Sequence, residues 1–230
     1  MISPPGSAYN AIRQENCGIE EVTEKSVNVR QAVEADLGAV YEICLKTGDA
    51  GRDAEHLFED PKLVGHVYGA PYLVLEGCIS FVAEDEAGVL GYAVGAPDTR
   101  SYEKILVSEW LPDLRSRYPL PGGPSDDWSP DEHYCDLIHN PRPIPEEIVR
   151  EFPAHIHMNL LQRARGRGVG SALLEAWVEA ARQEQVRAVH AGVSATNLAG
   201  LKFWTSRGFT SVREDFSRGK RSTIWCGRML

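Results

Sequence analysis

Apolar residues along this 230-residue chain change their spacing from segment to segment, and the spacing predicts the secondary structure. Alternating or continuous apolar positions predict strands at residues 27–33, 79–84, 89–94, 156–161 and 186–193, with a closing hairpin through Val212 and Ile224. Helical spacing predicts helices at residues 36–47 (with Asp36 as N-cap), 51–58, 101–118, about 169–181, and from 197 onwards. This pattern indicates an α+β fold: a mixed, mostly antiparallel sheet of about six to seven strands flanked by helices.

One long stretch interrupts this pattern. Residues 119–145 are rich in proline and acidic residues, so we predict a long loop near residues 119–150. Loops longer than about 15 residues inside a compact domain usually serve a function. Two uses remain open: the loop covers an acceptor site, or it packs against a partner subunit.

The composition is typical of one folded domain. Since 43% of the residues are hydrophobic, the chain can bury a full core, and we assign residues 26–230 to a single domain. We expect residues 1–25 to form a flexible tail, and they show no signal-peptide features. The net charge is −9 and the chain has no basic stripe, so nucleic acid is not the expected partner. No apolar run is long enough for a membrane span. The five cysteines favour reduced thiols in the cytoplasm, and no metal-ligand pattern occurs.

A glycine-rich run lies between a predicted strand and a predicted amphipathic helix. It reads Arg165-Gly166-Arg167-Gly168-Val169-Gly170-Ser171. The first N–H groups of a helix have no intrahelical partner, and the helix dipole adds partial positive charge there. Because glycine has no Cβ, a phosphate can approach the backbone closely. The run therefore predicts a binding site for a pyrophosphate group.

The spacing of this run excludes two common phosphate loops. The dinucleotide fingerprint G-x-G-x-x-G fails because Ser171 stands three residues after Gly168, and no Gly-Lys-Ser/Thr of a Walker loop occurs. The pattern Arg-x-x-Gly-x-Gly fits Arg165, Gly168 and Gly170. Arg165 and Arg167 are candidate phosphate ligands, and the alternative is that both are ordinary solvated residues at a helix end.

A second motif follows after one more predicted helix and strand. It comprises Asn197, Gly200, Phe203, Trp204, Gly208 and Phe209. Each of these residues alone fits an ordinary amphipathic helix that Gly208 caps. Together, in this order and at this distance, the two motifs resemble the GNAT acyltransferase superfamily, whose members bind acetyl-CoA.

Upstream segments make the resemblance narrower. Several segments look like bacterial acetyltransferases similar to the C-terminal acetyltransferase-like domain of protein O-GlcNAcase: residues 43–48, 51–54, 60–61, 67–73, 91–92, 98–99, 110–115 and 155–161. The similarity covers about residues 28–215. We expect no hydrolase activity, because the chain has no room for the glycoside hydrolase domain of that enzyme.

The resemblance implies acetyl-CoA as co-substrate and a sheet splayed between the two strands that bracket the CoA-binding helix. It implies that main-chain groups of Leu160 and Leu161 pair with the pantetheine amides and that Asn197 contacts the pantetheine arm. Phe203 and Trp204 complete the implied cofactor site. The positive charge of Lys202 makes it a candidate ligand of the CoA phosphates, and the alternative is an ordinary solvated residue. Members of the family typically have a tyrosine at the position of Trp204, and an indole N–H cannot protonate the leaving thiolate.

Three side chains on the strand before the glycine-rich run are candidates for proton transfer. His155, His157 and Asn159 alternate and therefore share one face of the sheet. Relatives commonly have a carboxylate on this strand as the general base. Asn159 cannot accept a proton, whereas His157 can. The alternative is that both histidines are structural.

Four residues of the upstream segments are further candidates. Asp98 is a candidate catalytic residue, and Asp53, Tyr68 and Tyr72 are candidate substrate-binding residues. Helix capping is the alternative role of Asp98, and core packing is the alternative for the two tyrosines. No residue set predicts a metal site.

Three functions agree with these residues. The first is an acetyl-CoA-dependent N-acetyltransferase, in which an amine of a small molecule or a protein attacks the thioester directly. The second is a CoA-binding pseudoenzyme or regulatory module with weak or no catalysis, which Trp204 favours. The third is an interaction domain that binds no CoA, and the intact glycine-rich run disfavours it. The resemblance also agrees with a homodimer.

Overall fold

A seven-stranded sheet forms the centre of the molecule. The computed structural model describes residues 26–217 and 220–230, so the predicted tail of residues 1–25 lies outside the described residues. The strands are β1 (Asn28–Gln31), β2 (Ile79–Asp85), β3 (Gly88–Ala96), β4 (Ala154–Leu160), β5 (Ala188–Ser194), β6 (Thr210–Ser217) and β7 (Lys220–Met229). Their order is β1-β2-β3-β4-β5-β7-β6. Only β4 and β5 pair in parallel, which confirms the predicted mixed, mostly antiparallel α+β fold.

Helices flank the sheet. They are α1 (Leu37–Lys46), α2 (Leu63–Tyr68), α3 (Pro71–Val74), α4 (Thr99–Ile105), α5 (Leu111–Arg117), α6 (Pro130–His139), α7 (Glu146–Glu151), α8 (Val169–Gln183) and α9 (Leu198–Ser206). A π-helical segment, Leu106–Trp110, joins α4 to α5, so the helix predicted at residues 101–118 is present with this irregularity inside it. Among the described residues, no helix has the length and apolar character to cross a membrane.

The two faces of β4 belong to two different packing layers. Ile156 lies in a core with Leu173 and Trp177 of α8, where the Trp177 indole also donates to the Ile79 carbonyl (3.1 Å). The opposite face carries His155 and looks towards the layer that α1 forms with β2 and β3. Because side chains alternate along a strand, this arrangement leaves the polar side chains of β4 on one face.

The prediction of a helix at residues 51–58 is wrong. This segment is a series of turns: Gly51 has φ +87°, and Asp49 forms an isolated bridge with Arg52. The Asp53 carboxylate accepts the Glu55 N–H (2.9 Å), a local bond that competes with helix formation.

The loop predicted near residues 119–150 is wrong in part, because it contains α6 and most of α7. Helix α6 begins with Pro130 at its first position, where the missing N–H costs no hydrogen bond. Ser129 and Glu132 form a capping box: the hydroxyl accepts the Glu132 N–H (3.2 Å) and the carboxylate accepts the Ser129 N–H (2.8 Å). A local capping signal therefore outweighs the surrounding prolines.

Asp36 occupies the N-cap position of α1, as predicted, but its side chain is bonded elsewhere. Its carboxylate forms two hydrogen bonds with the Arg30 guanidinium (2.7 and 2.8 Å) and accepts the Val33 N–H (2.9 Å). The bond to Arg30 holds the pKa of Asp36 below its usual value. The residue joins β1 to the turn before α1, and its side chain makes no capping bond to α1.

Candidate functional site

The sheet opens where β4 and β5 meet. These two strands pair only at Ala154–Val189 and His155–His190. β4 stays paired with β3 as far as Leu160, and β5 stays paired with β7 as far as Ser194. Beyond His155 the two parallel strands therefore diverge and leave a cleft. The splay predicted between the strands that bracket α8 is confirmed.

The glycine-rich run connects the end of β4 to α8. After a 3₁₀ turn at Gln162–Ala164, Gly166 and Gly168 adopt left-handed conformations with φ of 75° and 74°. Only glycine takes this conformation without strain, so both positions require it. A Cβ built on Gly168 would meet no heavy atom within 4 Å, which shows that this side of the loop is open.

Several N–H groups of this run lack a protein partner. The carbonyl of Gly168 accepts the N–H groups of Ser171 and Ala172 (3.0 and 3.1 Å). Within residues 26–217 and 220–230, the N–H groups of Gly166, Val169 and Gly170 donate to no protein oxygen. Unpaired N–H groups at the N-terminus of a 15-residue helix are the arrangement that binds phosphate in proteins.

Arginines of this run and of the 3₁₀ turn before it bind neighbouring elements and hold the loop in place. Arg163 and Arg167 both donate to the Asp85 carboxylate at the end of β2 (2.6 and 2.8 Å), whose side chain is only 4% exposed. The bond from Arg167 lowers the pKa of Asp85 to about 2. Arg165 donates to the Gly51 carbonyl (2.8 Å). Phosphate binding by Arg165 and Arg167 stays a prediction.

The second motif builds the other wall of the cleft. Asn197 caps α9, because its side-chain oxygen accepts the Gly200 N–H (2.9 Å). Phe203 lies against the glycine-rich run so closely that a Cβ on Gly170 would come within 3.1 Å of the ring. Trp204 is 6% exposed and lines the cleft. Contact of these residues with a cofactor stays a prediction.

Ser171 and Lys202 lie at the edge of this region. The Ser171 hydroxyl accepts a hydrogen bond from Arg207, which is exposed. Lys202 is exposed on α9. Ser171 is partly exposed, and binding of the cofactor by Ser171 and Lys202 stays a prediction.

Leu160 and Leu161 differ in their main-chain partners. The Leu161 N–H donates to the Leu90 carbonyl (2.9 Å), and its carbonyl accepts the Ala164 N–H (3.0 Å). Main-chain groups of an antiparallel strand point alternately to its two sides, so those of Leu160 point away from β3 towards the cleft. The Leu161 N–H is therefore already bonded to the protein, and pairing of main-chain groups of Leu160 and Leu161 with the pantetheine amides stays a prediction.

A cavity of about 1230 Å³ lies over the splayed strands. Its polar floor comes from β4 and β5, and tyrosines from α2, α3 and α6 form one wall. Residues 141–145 of the segment predicted as a long loop also line it, and of the two uses left open for this segment, covering an acceptor site stays a prediction. Its lining includes the side chains of His155, His157, Asn159, His190, Tyr68, Tyr72, Tyr134 and Trp225.

His155 is structural. Thr99 donates its only hydroxyl hydrogen to the Pro153 carbonyl (2.7 Å), so the 2.9 Å contact between Thr99 Oγ1 and His155 Nδ1 requires the hydrogen on Nδ1. Nε2 is then an acceptor for the Tyr72 hydroxyl (2.9 Å). Burial lowers the pKa of His155 well below its ordinary value, which keeps the ring neutral. Both ring nitrogens are occupied, so His155 cannot take a substrate proton without breaking this network.

His157 is free to act on a ligand. It is half-buried between the rings of Tyr68 and Tyr72, with centroid distances of 6.2 and 5.6 Å. Among the described residues, no hydrogen bond engages its imidazole. Burial lowers its pKa to about 4, with a further contribution from His190. A neutral imidazole with an unengaged nitrogen is the form that accepts a proton.

Asn159 is held by a buried chain of polar groups. Its side-chain amide donates to the Tyr92 hydroxyl (2.9 Å), which contacts the Cys44 thiol (3.0 Å). Burial raises the pKa of Cys44 to about 12, so the thiol stays protonated. The amide nitrogen of Asn159 is therefore engaged by Tyr92, and the residue lines the cavity.

The upstream candidates separate into two groups. Tyr68 and Tyr72 line the cavity, as expected of substrate-binding residues. Asp98 is exposed, caps α4 by accepting the Ser101 N–H (2.7 Å), and lies outside the cavity lining. Asp53 is likewise exposed and outside the lining, in the turn beside α1. The structure therefore does not bring Asp98 and Asp53 to the site, and its geometry supports capping for Asp98.

A match to a family sequence model over most of the chain shows the family to which it belongs. Residues 39–209 match the sequence model of the Acetyltransferase (GNAT) family. The chain belongs to the GNAT family of acetyltransferases. This agrees with the splayed β4 and β5 and with the open glycine-rich run, and it confirms the resemblance inferred from the two motifs.

The curated relatives of this GNAT protein are much longer proteins. Protein O-GlcNAcase of Rattus norvegicus and protein O-GlcNAcase of Mus musculus are each 25% identical to it over 188 residues. The match covers 81% of this chain and 20% of each relative, so the chain spans about a fifth of the length of these relatives.

Solved structures of similar fold include SsHAT and yncA. The crystal structure of SsHAT is 35% identical, with a TM-score of 0.79 over 89% of this chain and 98% of that chain. The structure of yncA from Salmonella typhimurium, solved with its cofactor acetyl-CoA, is 18% identical, with a TM-score of 0.51 over 89% of this chain and 94% of that chain. The second likeness shows the fold alone.

Three cavity residues were not found from the sequence: His190, Trp225 and Tyr134. His190 carried a signal, because a histidine in the apolar run of residues 186–193 must be buried with a partner. Trp225 lies opposite Gly192 on the neighbouring strand, a pairing that depends on the register of β5 and β7. Tyr134 was missed because α6 was predicted as loop.

Proposed function

We propose that this GNAT protein is an acetyl-CoA-dependent N-acetyltransferase in which an amine attacks the thioester directly. The observation that carries the proposal is the open row of unpaired N–H groups at the N-terminus of α8, beside the cleft between β4 and β5. The cofactor in the structure of yncA supports acetyl-CoA as the ligand of this fold. Among the described residues, no group of three or more His, Cys, Asp or Glu side chains is arranged to hold a metal ion.

Different residues of the chain would bind the cofactor, accept the amine proton and hold the amine. The N–H groups from Gly166 to Gly170 would hold the pyrophosphate, and main-chain groups of Leu160 would pair with the pantetheine arm in the cleft. His157 is the proposed acceptor of the amine proton. Tyr68 and Tyr72 would form the wall against which the amine lies.

The acceptor is proposed to be an amine on a slender group. Residues 141–145 and Tyr134 border the cavity, so the amine enters under this segment. A small molecule or a single protein side chain meets this requirement. A homodimer, which the resemblance allows, is not needed for the cavity described here.

The side chain of Trp204 supports a second candidate function. Its ring is buried and packs edge-to-face on Phe209 with centroids 4.7 Å apart, so it supplies a wall and no acidic hydroxyl. A protein that binds acetyl-CoA with little catalysis agrees with this arrangement. The two functions differ in turnover and share the cofactor site.

The test is thiol release from acetyl-CoA in the presence of an amine panel of α-amino acids, lysine-containing peptides, polyamines and aromatic amines. The enzyme predicts release that depends on one amine class, with an acetylated product of the expected mass. Binding of acetyl-CoA without amine-dependent release supports the regulatory module. If acetyl-CoA does not bind at all, both functions are wrong.

A further inference from the structure

Arg142 stands between two prolines in the lining of the cavity. The segment that joins α6 to α7 reads Pro141-Arg142-Pro143-Ile144-Pro145. Proline fixes its own φ and restricts the residue before it to extended conformations, so Arg142 and Ile144 have little backbone freedom. The segment therefore presents Arg142 to the cavity from a stiff backbone.

Hydrogen bonds to α4 hold this segment in place. The Ile144 N–H donates to the Glu103 carboxylate (2.8 Å), and the Ile144 carbonyl accepts a hydrogen bond from Arg100 (2.8 Å). Arg100 and Glu103 are also paired with each other (2.6 Å). A binding residue on a backbone that is already fixed loses less conformational entropy when a ligand arrives.

The protein itself engages the Arg142 guanidinium weakly. Arg142 forms no hydrogen bond with any residue in 26–217 or 220–230, and its side chain is 78% exposed. Its ion-pair partner among these residues is Asp136, at 3.7 Å, and the other oxygen of that carboxylate accepts the Asn140 amide (2.8 Å). Most N–H groups of the guanidinium are therefore free to bind a ligand.

Carboxylates of the same lining are bound more closely. Each of three pairs with an arginine within 2.8 Å: Asp49 with Arg52, Glu103 with Arg100, and Asp215 with Arg213. Glu214 also lies in the lining and is exposed on β6. A carboxylate that is already paired attracts a further cation weakly, whereas Arg142 still offers its charge to an anion.

Two tyrosine hydroxyls of the cavity also lack a protein partner. Neither Tyr68 Oη nor Tyr134 Oη forms a hydrogen bond with a described residue, and the two rings lie edge-to-face at 5.9 Å. Burial raises the pKa of both hydroxyls, so both keep their hydrogens at neutral pH. The charge of Arg142 opposes this rise at Tyr68, so the guanidinium lies close enough to Tyr68 to act on it. Arg142 and Tyr68 can therefore donate to one anion.

We propose that Arg142 binds a carboxylate of the acceptor and that the amine acetylated by this protein belongs to a free amino acid. The planar guanidinium matches a carboxylate in geometry, and Tyr68 would donate to the same group. His157 lies 6.2 Å from Tyr68 between ring centroids, so one small molecule can place its carboxylate at Arg142 and Tyr68 and its amine near His157.

The inference rests on the proposed N-acetyltransferase function and chooses between the two acceptors left open there. The amine of a lysine side chain in a protein has no carboxylate close to it. A free amino acid has both groups and is slender enough to enter under residues 141–145. Arg142 is thus a specificity residue, and acetyl transfer itself does not depend on it.

The test compares each free amino acid with its primary amide, which keeps the amine and the size and removes the negative charge. The panel holds the common α-amino acids and unbranched ω-amino acids, with saturating acetyl-CoA and thiol release as the readout. Rates are expressed per free amine, because the amide lowers the pKa of the amine. The proposal predicts that the best acid exceeds its amide in kcat/KM by at least about 20-fold. An amide that reacts as well as its acid overturns the proposal.

Substitution of Arg142 assigns this preference to one residue. Arg142→Gln should lower kcat/KM for the acid by about 20-fold, mainly through KM, and leave the amide within about twofold of the wild type. Arg142→Lys keeps the charge and should retain part of the preference. Arg150→Gln is the matched control, because Arg150 is exposed on α7 and lies outside the cavity lining. An equal loss for acid and amide in Arg142→Gln would contradict the proposal.

A binding measurement separates this inference from the proposed function. Titration calorimetry of the same acids and amides into the protein saturated with CoA requires no acetyl transfer. A preference for acids that Arg142→Gln removes, without any thiol release, supports the carboxylate site and contradicts the enzyme. Thiol release with peptides or polyamines and not with amino acids supports the enzyme and contradicts the carboxylate site. If no acid binds more tightly than its amide, the proposal is wrong.

Discussion

Burial makes the histidines of the cleft neutral, and hydrogen bonds then give each a different role. His155 has both nitrogens occupied, His190 has one, and no described residue occupies either nitrogen of His157. Sequence alternation on β4 predicted that His155, His157 and Asn159 share a face, and this is confirmed. It did not separate their roles, because the partners Tyr72 and Thr99 lie 83 and 56 positions away in the chain.

Replacement of His157 tests its role directly. His157→Gln removes the proton acceptor and keeps a polar side chain, so we expect kcat to fall by about 100-fold and acetyl-CoA affinity to stay within about twofold. Steady-state kinetics of thiol release and titration calorimetry measure the two quantities. His133→Gln, a substitution at an exposed histidine outside the cavity lining, is the matched control. Equal activity of His157→Gln and the wild type would show that the proton leaves by another path.

At the scale of elements, the site depends on where strands stop pairing and where helices begin. The sequence predicted the strands, the splay and α8 because these follow from apolar periodicity and from the motif resemblance. It missed α6, although Ser129, Pro130 and Glu132 form a local signal, because the surrounding prolines were given more weight. The bond of Arg163 and Arg167 to Asp85 could not be predicted, since it joins residues 78 and 82 positions apart.

The capping box of α6 should have a measurable effect. Ser129→Ala leaves the Glu132 N–H without its acceptor, and we expect the free energy of unfolding to fall by about 1 kcal/mol. Urea denaturation measures this change, and hydrogen exchange should show faster exchange in α6 than in α8. The control is Ser125→Ala, at an exposed serine of the preceding loop. An equal effect of both substitutions would mean that the box contributes nothing.

At the scale of the whole molecule, buried neutral histidines make the fold sensitive to acid. Burial lowers the pKa of both His66 and His190 from 6.5 to about 4. The unfolded chain therefore binds more protons than the folded chain between about pH 6.5 and pH 4, so this contribution to stability is complete above pH 6.5 and is lost as the pH falls. The carboxylates with lowered pKa, such as Asp36, add their loss only at lower pH.

Urea denaturation at pH 7, 6 and 5 checks this expectation. Between pH 7 and pH 5, each of the two histidines should remove roughly 2 kcal/mol from the free energy of unfolding. His190→Asn lacks one of these groups, so its loss over the same range should be smaller by that amount. A stability that does not change between pH 7 and pH 5 would show that the two rings are hydrated in the folded protein.

The whole fold directs the open N–H groups of α8 to the mouth of the cleft, and this arrangement is the basis of the proposed function. Gly168→Glu introduces both a side chain at a left-handed position and a negative charge where the pyrophosphate would bind. Gly123→Glu is the matched control, because Gly123 also has a positive φ (72°) and open space around it, and lies in the loop before α6.

The measurement is titration calorimetry of acetyl-CoA with the wild type and these two variants. We predict that the wild type binds, that Gly168→Glu loses at least about 30-fold in affinity, which corresponds to roughly 2 kcal/mol, and that Gly123→Glu binds like the wild type. No binding by the wild type, or an equal loss in both variants, would contradict a pyrophosphate site at the N-terminus of α8.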